Sequence, residues 1–173
     1  MRKSLILSAA LLALALCAGA ARAQEKRGPT TPEERRRAVE IATLLENDPL
    51  NKDAKKLSQA LLYFIVEAPD IHVHLCTDVL GDFKQIKGDY GPTVTAQLTF
   101  SSAKYVIEHP DEAAADVNNE YLAGVEGVLR AYQNIKKAKP KVEIKPLEEL
   151  LAKQQAGQLA DFVKQTAAAG CKK

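Results

Sequence analysis

Asp70-Ile71-His72-Val73-His74-Leu75-Cys76 opens a stretch, running on to Ile86, whose reading decides the fold class. Ile71, Leu75 and Val79 recur at the spacing of one helix face, and Asp70 is a good helix cap. Ile71 to Cys76 also alternates in the manner of a half-buried strand. No partner strand is obvious elsewhere in the chain. The helical reading is therefore preferred, and an all-α fold is expected.

The pattern toward the N-terminus agrees. Thr31-Pro32-Glu33-Glu34 joins a capping threonine, a first-turn proline and a glutamate three positions on, the makings of a capping box. Ala38, Ile41, Ala42, Leu44 and Leu45 follow at helical spacing, up to a stop near Asn47-Asp48-Pro49. Arg35-Arg36-Arg37 reads as the wet face of this helix, with Glu40 in reach. Asn51 is placed to cap a second helix. Its buried stripe is Leu57, Ala60, Leu61, Phe64 and Ile65, with Lys52, Lys55 and Lys56 in solvent, and Pro69 ends it. Asp48 to Ala54 resembles the junction between tetratricopeptide-type helical hairpins. It occurs once, so it implies no array.

Toward the C-terminus, Gly88-Asp89-Tyr90-Gly91-Pro92 marks a turn and Thr93 to Glu108 a helix. Asp111 to Ala138 is the longest helical pattern, with Val117, Tyr121, Leu122, Val125, Val128, Leu129, Tyr132 and Ile135 inward. Gly124 and Gly127 weaken it locally or admit a second helix at close range. Pro140 to Lys145 is a linker with a short extended piece at Val142 to Ile144. Pro146 opens a last helix that runs to Gly170, with a kink expected at Gly157. The sum is a single compact bundle of about six helices over residues 31–173, behind a flexible leader at 24–30.

Residues 1–23 read as a cleavable signal peptide. Arg2 and Lys3 precede the apolar run Leu5 to Ala18, and Ala21-Arg22-Ala23 supplies small residues where a signal peptidase reads. Leu16 stands before Cys17 where a lipoprotein signal has a small residue, so a lipid anchor is not expected. The chain has 24 Lys plus Arg and 22 Asp plus Glu; losing the leader leaves 21 basic against 22 acidic side chains, a net charge of −1. Neither nucleic acid nor an anionic lipid surface is an expected partner at that balance. No second apolar run suffices to span a bilayer. The expected location is outside the cytoplasm, periplasmic or extracellular.

Cys76 and Cys171 remain after cleavage. In an oxidising compartment an even pair points to a disulfide, which would tie the C-terminus to the middle of the chain. Cys76 also closes His72-x-His74-x-Cys76, the one cluster with ligand character. On a strand its three side chains share a face in steps of roughly 6–7 Å. On a helix only His72 and Cys76 do. Imidazole and thiolate suit zinc or copper. A closed zinc site wants four ligands, and the disulfide would claim the thiol. Two polar histidines beside a structural cystine are therefore the preferred reading, and no cofactor is expected.

Lys136-Lys137-x-Lys139-x-Lys141 is a basic run that could meet an anionic partner, although a helix end followed by a solvated linker explains it. No aromatics interleave it, which counts against single-stranded nucleic acid. Ser58, Ser101 and Ser102 have no local partner for nucleophilic chemistry. Glu108-His109 and Asp70-x-His72 could serve as acid–base pairs, but helix caps account for both acids. There is no G-x-S-x-G elbow, P-loop or H-E-x-x-H.

Tyr121-Leu122-Ala123-Gly124-Val125 and the late Cys171 resemble the immunity proteins of bacterial secretion-system toxins. That resemblance covers six positions. It implies one form of an interaction protein and assigns no fold, partner or residue. The expected function is a non-catalytic binding or interaction protein of the bacterial envelope, with a groove near Tyr90 or Tyr121. A metal-binding protein using His72, His74 and Cys76 is one alternative, an unrecognised enzyme the other.

Overall fold

A computed structural model describes residues 27–171; the signal-peptide reading of residues 1–23 lies outside them. Among the described residues the chain forms seven α-helices and two 3₁₀ turns, with no strand. In chain order the helices are α1 (Pro32–Asn47), α2 (Ala54–Glu67), α3 (Gly91–Glu108), α4 (Pro110–Ala115), α5 (Val117–Ala138), α6 (Lys145–Gln155) and α7 (Leu159–Gly170). The 3₁₀ turns are Thr77–Leu80 and Phe83–Gln85.

Helix α5 is the axis of the bundle. It packs along α3 and also touches α1, α4, α6 and α7. Its inward stripe of Val125, Val128, Leu129, Tyr132 and Ile135 is wholly buried. Each such side chain contributes roughly 1.5–3 kcal/mol of hydrophobic stabilisation. This main core joins α3, α5, α6, α7 and the 3₁₀ turns. A smaller core forms where Ala38, Ala42 and Leu45 of α1 meet Leu61 of α2 and Phe100 of α3.

The capping box at Thr31 and Glu34 is made as expected, with both reciprocal bonds present. Three expectations are corrected. The stretch 70–86 is not a helix. Ile71 to Cys76 runs extended without a partner strand, and the two 3₁₀ turns follow. Its main chain is held from a distance: the His74 N–H donates to Glu120 on α5 at 2.6 Å, and Cys76 is bonded to Cys171. Asp70 accordingly caps nothing and binds Thr30 and Arg35 instead.

The second correction is a break at Asp116 in the expected helix 111–138. Asp116 takes an extended conformation and its carboxylate accepts the Asn118 N–H at 3.0 Å, capping α5 afresh. The third lies at Gly157, where a positive φ of 70° ends α6 outright rather than kinking it. Losing one expected helix and splitting two others turns about six into seven. A smaller shift moves the start of α2 from Asn51 to Asp53, because the Asn51 side chain accepts the Asp53 N–H in a local turn.

The disulfide between Cys76 and Cys171 is present, with a sequence separation of 95. Thr30, expected at the end of a mobile leader, is buried and bound to Asp70. Arg27 beside it pairs with Glu34 at 2.7 Å and lies over the Phe64 ring. No helix among the described residues is long and apolar enough to cross a membrane.

Candidate functional site: a carboxylate–imidazole pair between two clefts

Glu120 lies in the first turn of α5, in register with Gly124, Gly127 and Ala131 on a face of small residues. Its side chain is 0 % exposed. One carboxylate oxygen accepts the His74 main-chain N–H at 2.6 Å; the other lies 2.9 Å from His74 Nδ1. The extended backbone of 71–76 makes both contacts possible, and the disulfide fixes its far end. Burial pushes the Glu120 carboxyl above its ordinary value, while the His74 ring and main-chain bonds pull the other way.

The imidazole itself is 59 % exposed. When Nδ1–H donates to the carboxylate, Nε2 is the nitrogen left for other chemistry. A buried carboxylate behind a surface imidazole holds the ring's orientation.

His74 borders two clefts. One, of about 290 Å³, lies between the 71–76 segment and α3 and α4; Ile71, His72, Ile107 and Ala113 help to line it. At its edge Asp70 binds the Arg35 guanidinium at 2.6 Å and accepts the Thr30 N–H at 3.0 Å. The Thr30 main-chain bond, helped by Arg35 and opposed by desolvation, lowers the Asp70 carboxyl to about 2. The other cleft, of about 440 Å³, lies between α5 and α7. Val117, Tyr121, Ala167 and Ala168 give it an apolar floor, and Lys164 and Asn118 stand at its rim with His74. Its size falls in the range of small-molecule sites, about 300–1,000 Å³.

Of the expected ligand cluster, His72 and His74 do share the first cleft, as extended backbone requires. The disulfide takes the Cys76 sulfur, and no group of three or more His, Cys, Asp or Glu among the described residues is placed to hold a metal ion. The suggested acid–base pairs do not form. Glu108 faces Lys104; His109 faces Glu112 and stacks on Tyr105. Tyr121 lines the second cleft, whereas Tyr90 packs against the main core.

In the basic run, Lys136 bonds Glu148, whose other partner is the buried Tyr132 hydroxyl, and Lys137 bonds Asn134 at 3.1 Å. Lys139 and Lys141 are exposed.

Two buried acids escaped the sequence reading. Besides Glu120, Glu46 accepts from Ser101 Oγ at 2.7 Å and Arg130 Nε at 2.9 Å between α1, α3 and α5. Both occupy inward helical registers, Glu46 eight positions after Ala38 and four after Ala42. That periodicity was the available signal.

No protein-family model, curated protein or solved structure matches this chain.

Proposed function

We propose that this chain is an exported, non-catalytic α-helical binding protein of the bacterial envelope, and that the α5–α7 cleft holds a small amphipathic anion. The observation that carries the reading is the His74–Glu120 pair. A wholly buried carboxylate is costly to retain, and this one orients a ring that stays open to solvent at a cleft. With the ring held by Glu120 through Nδ1, Nε2 is the nitrogen turned to a ligand. Lys164 puts a positive group on the same rim. Val117, Tyr121 and Ala168 would cover an apolar body. The leader pattern at residues 1–23 and a disulfide suited to an oxidising compartment support export.

Titration of the mature, oxidised protein with anilinonaphthalene sulfonate, an apolar body with an anionic head, tests the site. Saturable fluorescence enhancement is expected. His74→Ala and Lys164→Glu should each weaken binding about tenfold, the order of one charge-assisted hydrogen bond. Ala168→Phe should block the cleft. Binding indifferent to all three substitutions would remove the assignment. Tight zinc or copper binding by the oxidised protein, lost in His72→Ala and His74→Ala, would favour the metal-binding alternative instead.

A further inference from the structure

Helix α2 carries its charges against its own dipole. Lys52, Lys55 and Lys56 gather at its N-terminal end and Glu67 is its last residue. The positive end of a helix disfavours lysine, and the negative end disfavours glutamate. Helices α1, α5 and α6 follow the opposite rule at one end or both, while α3 has neither an acid in its first turn nor a base in its last and ends on Glu108, which Lys104 answers one turn before it. Acids stand in the first turns of α1, α5 and α6, and lysines in the last turns of α5 and α6. The Asp53 side chain makes no capping bond to α2, and no ion pair among the described residues engages Lys52, Lys55, Lys56 or Glu67.

The same helix leaves its outer face apolar. Leu61 is buried and Phe64 and Ile65 pack on the smaller core, but Leu62, Tyr63 and Val66 are 49 %, 68 % and 71 % exposed. At 100° per residue these three share one side with Lys55 and Gln59. Helix α5, the longest, is spent on its own core.

We propose that the outer face of α2 docks on the same face of a second copy of this chain, the two helices antiparallel about a two-fold axis near Leu62. Lys55 and Glu67 are twelve positions apart, about 18 Å along the axis. Antiparallel pairing sets Lys55 and Lys56 beside the partner's Glu67 and the carbonyl end of its helix, twice by symmetry. Gln59 then meets the partner's Tyr63, and Leu62 lies at the centre. Parallel pairing would set lysine on lysine. An anionic membrane would attract the lysines but repel Glu67, and an acidic peptide would leave Glu67 unanswered. Only a surface with the reversed pattern satisfies both ends, and a second α2 is such a surface.

Sedimentation of the mature, oxidised protein between about 1 μM and 1 mM tests this, since a one-helix contact is small and should dissociate in that range. Reversible dimerisation is expected. Tyr63→Glu should abolish it. The double variant K55E/K56E and the single variant E67K should each weaken self-association at least tenfold, and an equimolar mixture of the two should form a heterodimer about as strong as the wild-type dimer. Glutamates at the helix start suit the dipole, so K55E/K56E should melt no lower than the wild-type monomer, which separates loss of pairing from loss of folding. A wild-type monomer at every concentration, a dimer indifferent to Tyr63→Glu, or a mixture that stays monomeric would each overturn the proposal. So would wild type that stays monomeric while pelleting with phosphatidylserine vesicles, which would give the face to a membrane.

Discussion

Glu120 shows how one buried side chain sets both a local fold and a titration. It supplies two acceptors to His74, and the structure offers that main-chain N–H no helical partner. Glu120→Ala would strand the N–H, at a cost of about 1–3 kcal/mol measurable as a lower unfolding temperature. Glu120→Gln keeps an acceptor and removes the proton equilibrium. Burial raises the folded-state value, so the folded chain holds the proton more tightly than the unfolded chain. The contribution of this group is therefore full below the ordinary value of 4.5 and is lost as pH climbs through the raised folded value. Wild-type stability relative to Glu120→Gln should be flat beneath that window and decline across it. A difference that rises with pH would contradict the burial argument. Asp70 acts with the opposite sign. Its carboxyl is lowered from 3.8 to about 2, so its contribution is full above 3.8 and lost as pH falls to about 2. The two acids beside the first cleft thus act in separate windows.

Among the elements, the α3–α5 contact rests on glycine. A Cβ on Gly127 would lie 1.8 Å from Ser101 Oγ and 2.3 Å from Ser101 Cβ. Gly127→Ala must push the helices apart or rotate Ser101 away from Glu46, and a loss of about 1–3 kcal/mol is expected in denaturant unfolding. Ser101→Ala should not rescue it, since the Ser101 Cβ itself is in the way; a rescue would mean that the contact is looser than the geometry implies. The sequence made this close approach legible, because two glycines in a strong helical pattern need a reason. It also exposed the α1 capping box, the inward stripe of α5 and the cysteine pairing. Asp116 was legible in principle as a cap, but the apolar period on both sides masked it. The stretch 70–86 was not legible. Ile71, Leu75 and Val79 fit a helix locally, and what overrides them comes from Glu120, 46 positions from His74, and from Cys171. The pairing of His74 with Glu120 was hidden for the same reason: it requires knowing that α5 passes beside an extended segment.

At the scale of the whole molecule, two cores meet along α3, and the disulfide belongs to only one of them. Cys76 and Cys171 pack with the main core, where α7 lies against the first 3₁₀ turn and α5. The smaller core of α1, α2 and Phe100 lies apart from them. Closing a loop of this length removes denatured-state entropy worth about 4–5 kcal/mol as an upper figure, comparable with the whole stability of a small domain. Reduction, or Cys76→Ser with Cys171→Ser, should lower the unfolding temperature sharply, but the loss should not be even. Helix α7 is twelve residues long and ends at the disulfide, so without the bond its last turns have only Val163 and Ala167 to hold them. Hydrogen exchange should quicken in α7 and in 71–80 while α1 and the inward face of α3 keep their relative protection. The α5–α7 cleft should open with them, and anion binding there should weaken on reduction. Equal loss of protection in both cores would mean that they unfold as one unit. An unchanged unfolding temperature would mean that packing alone holds α7.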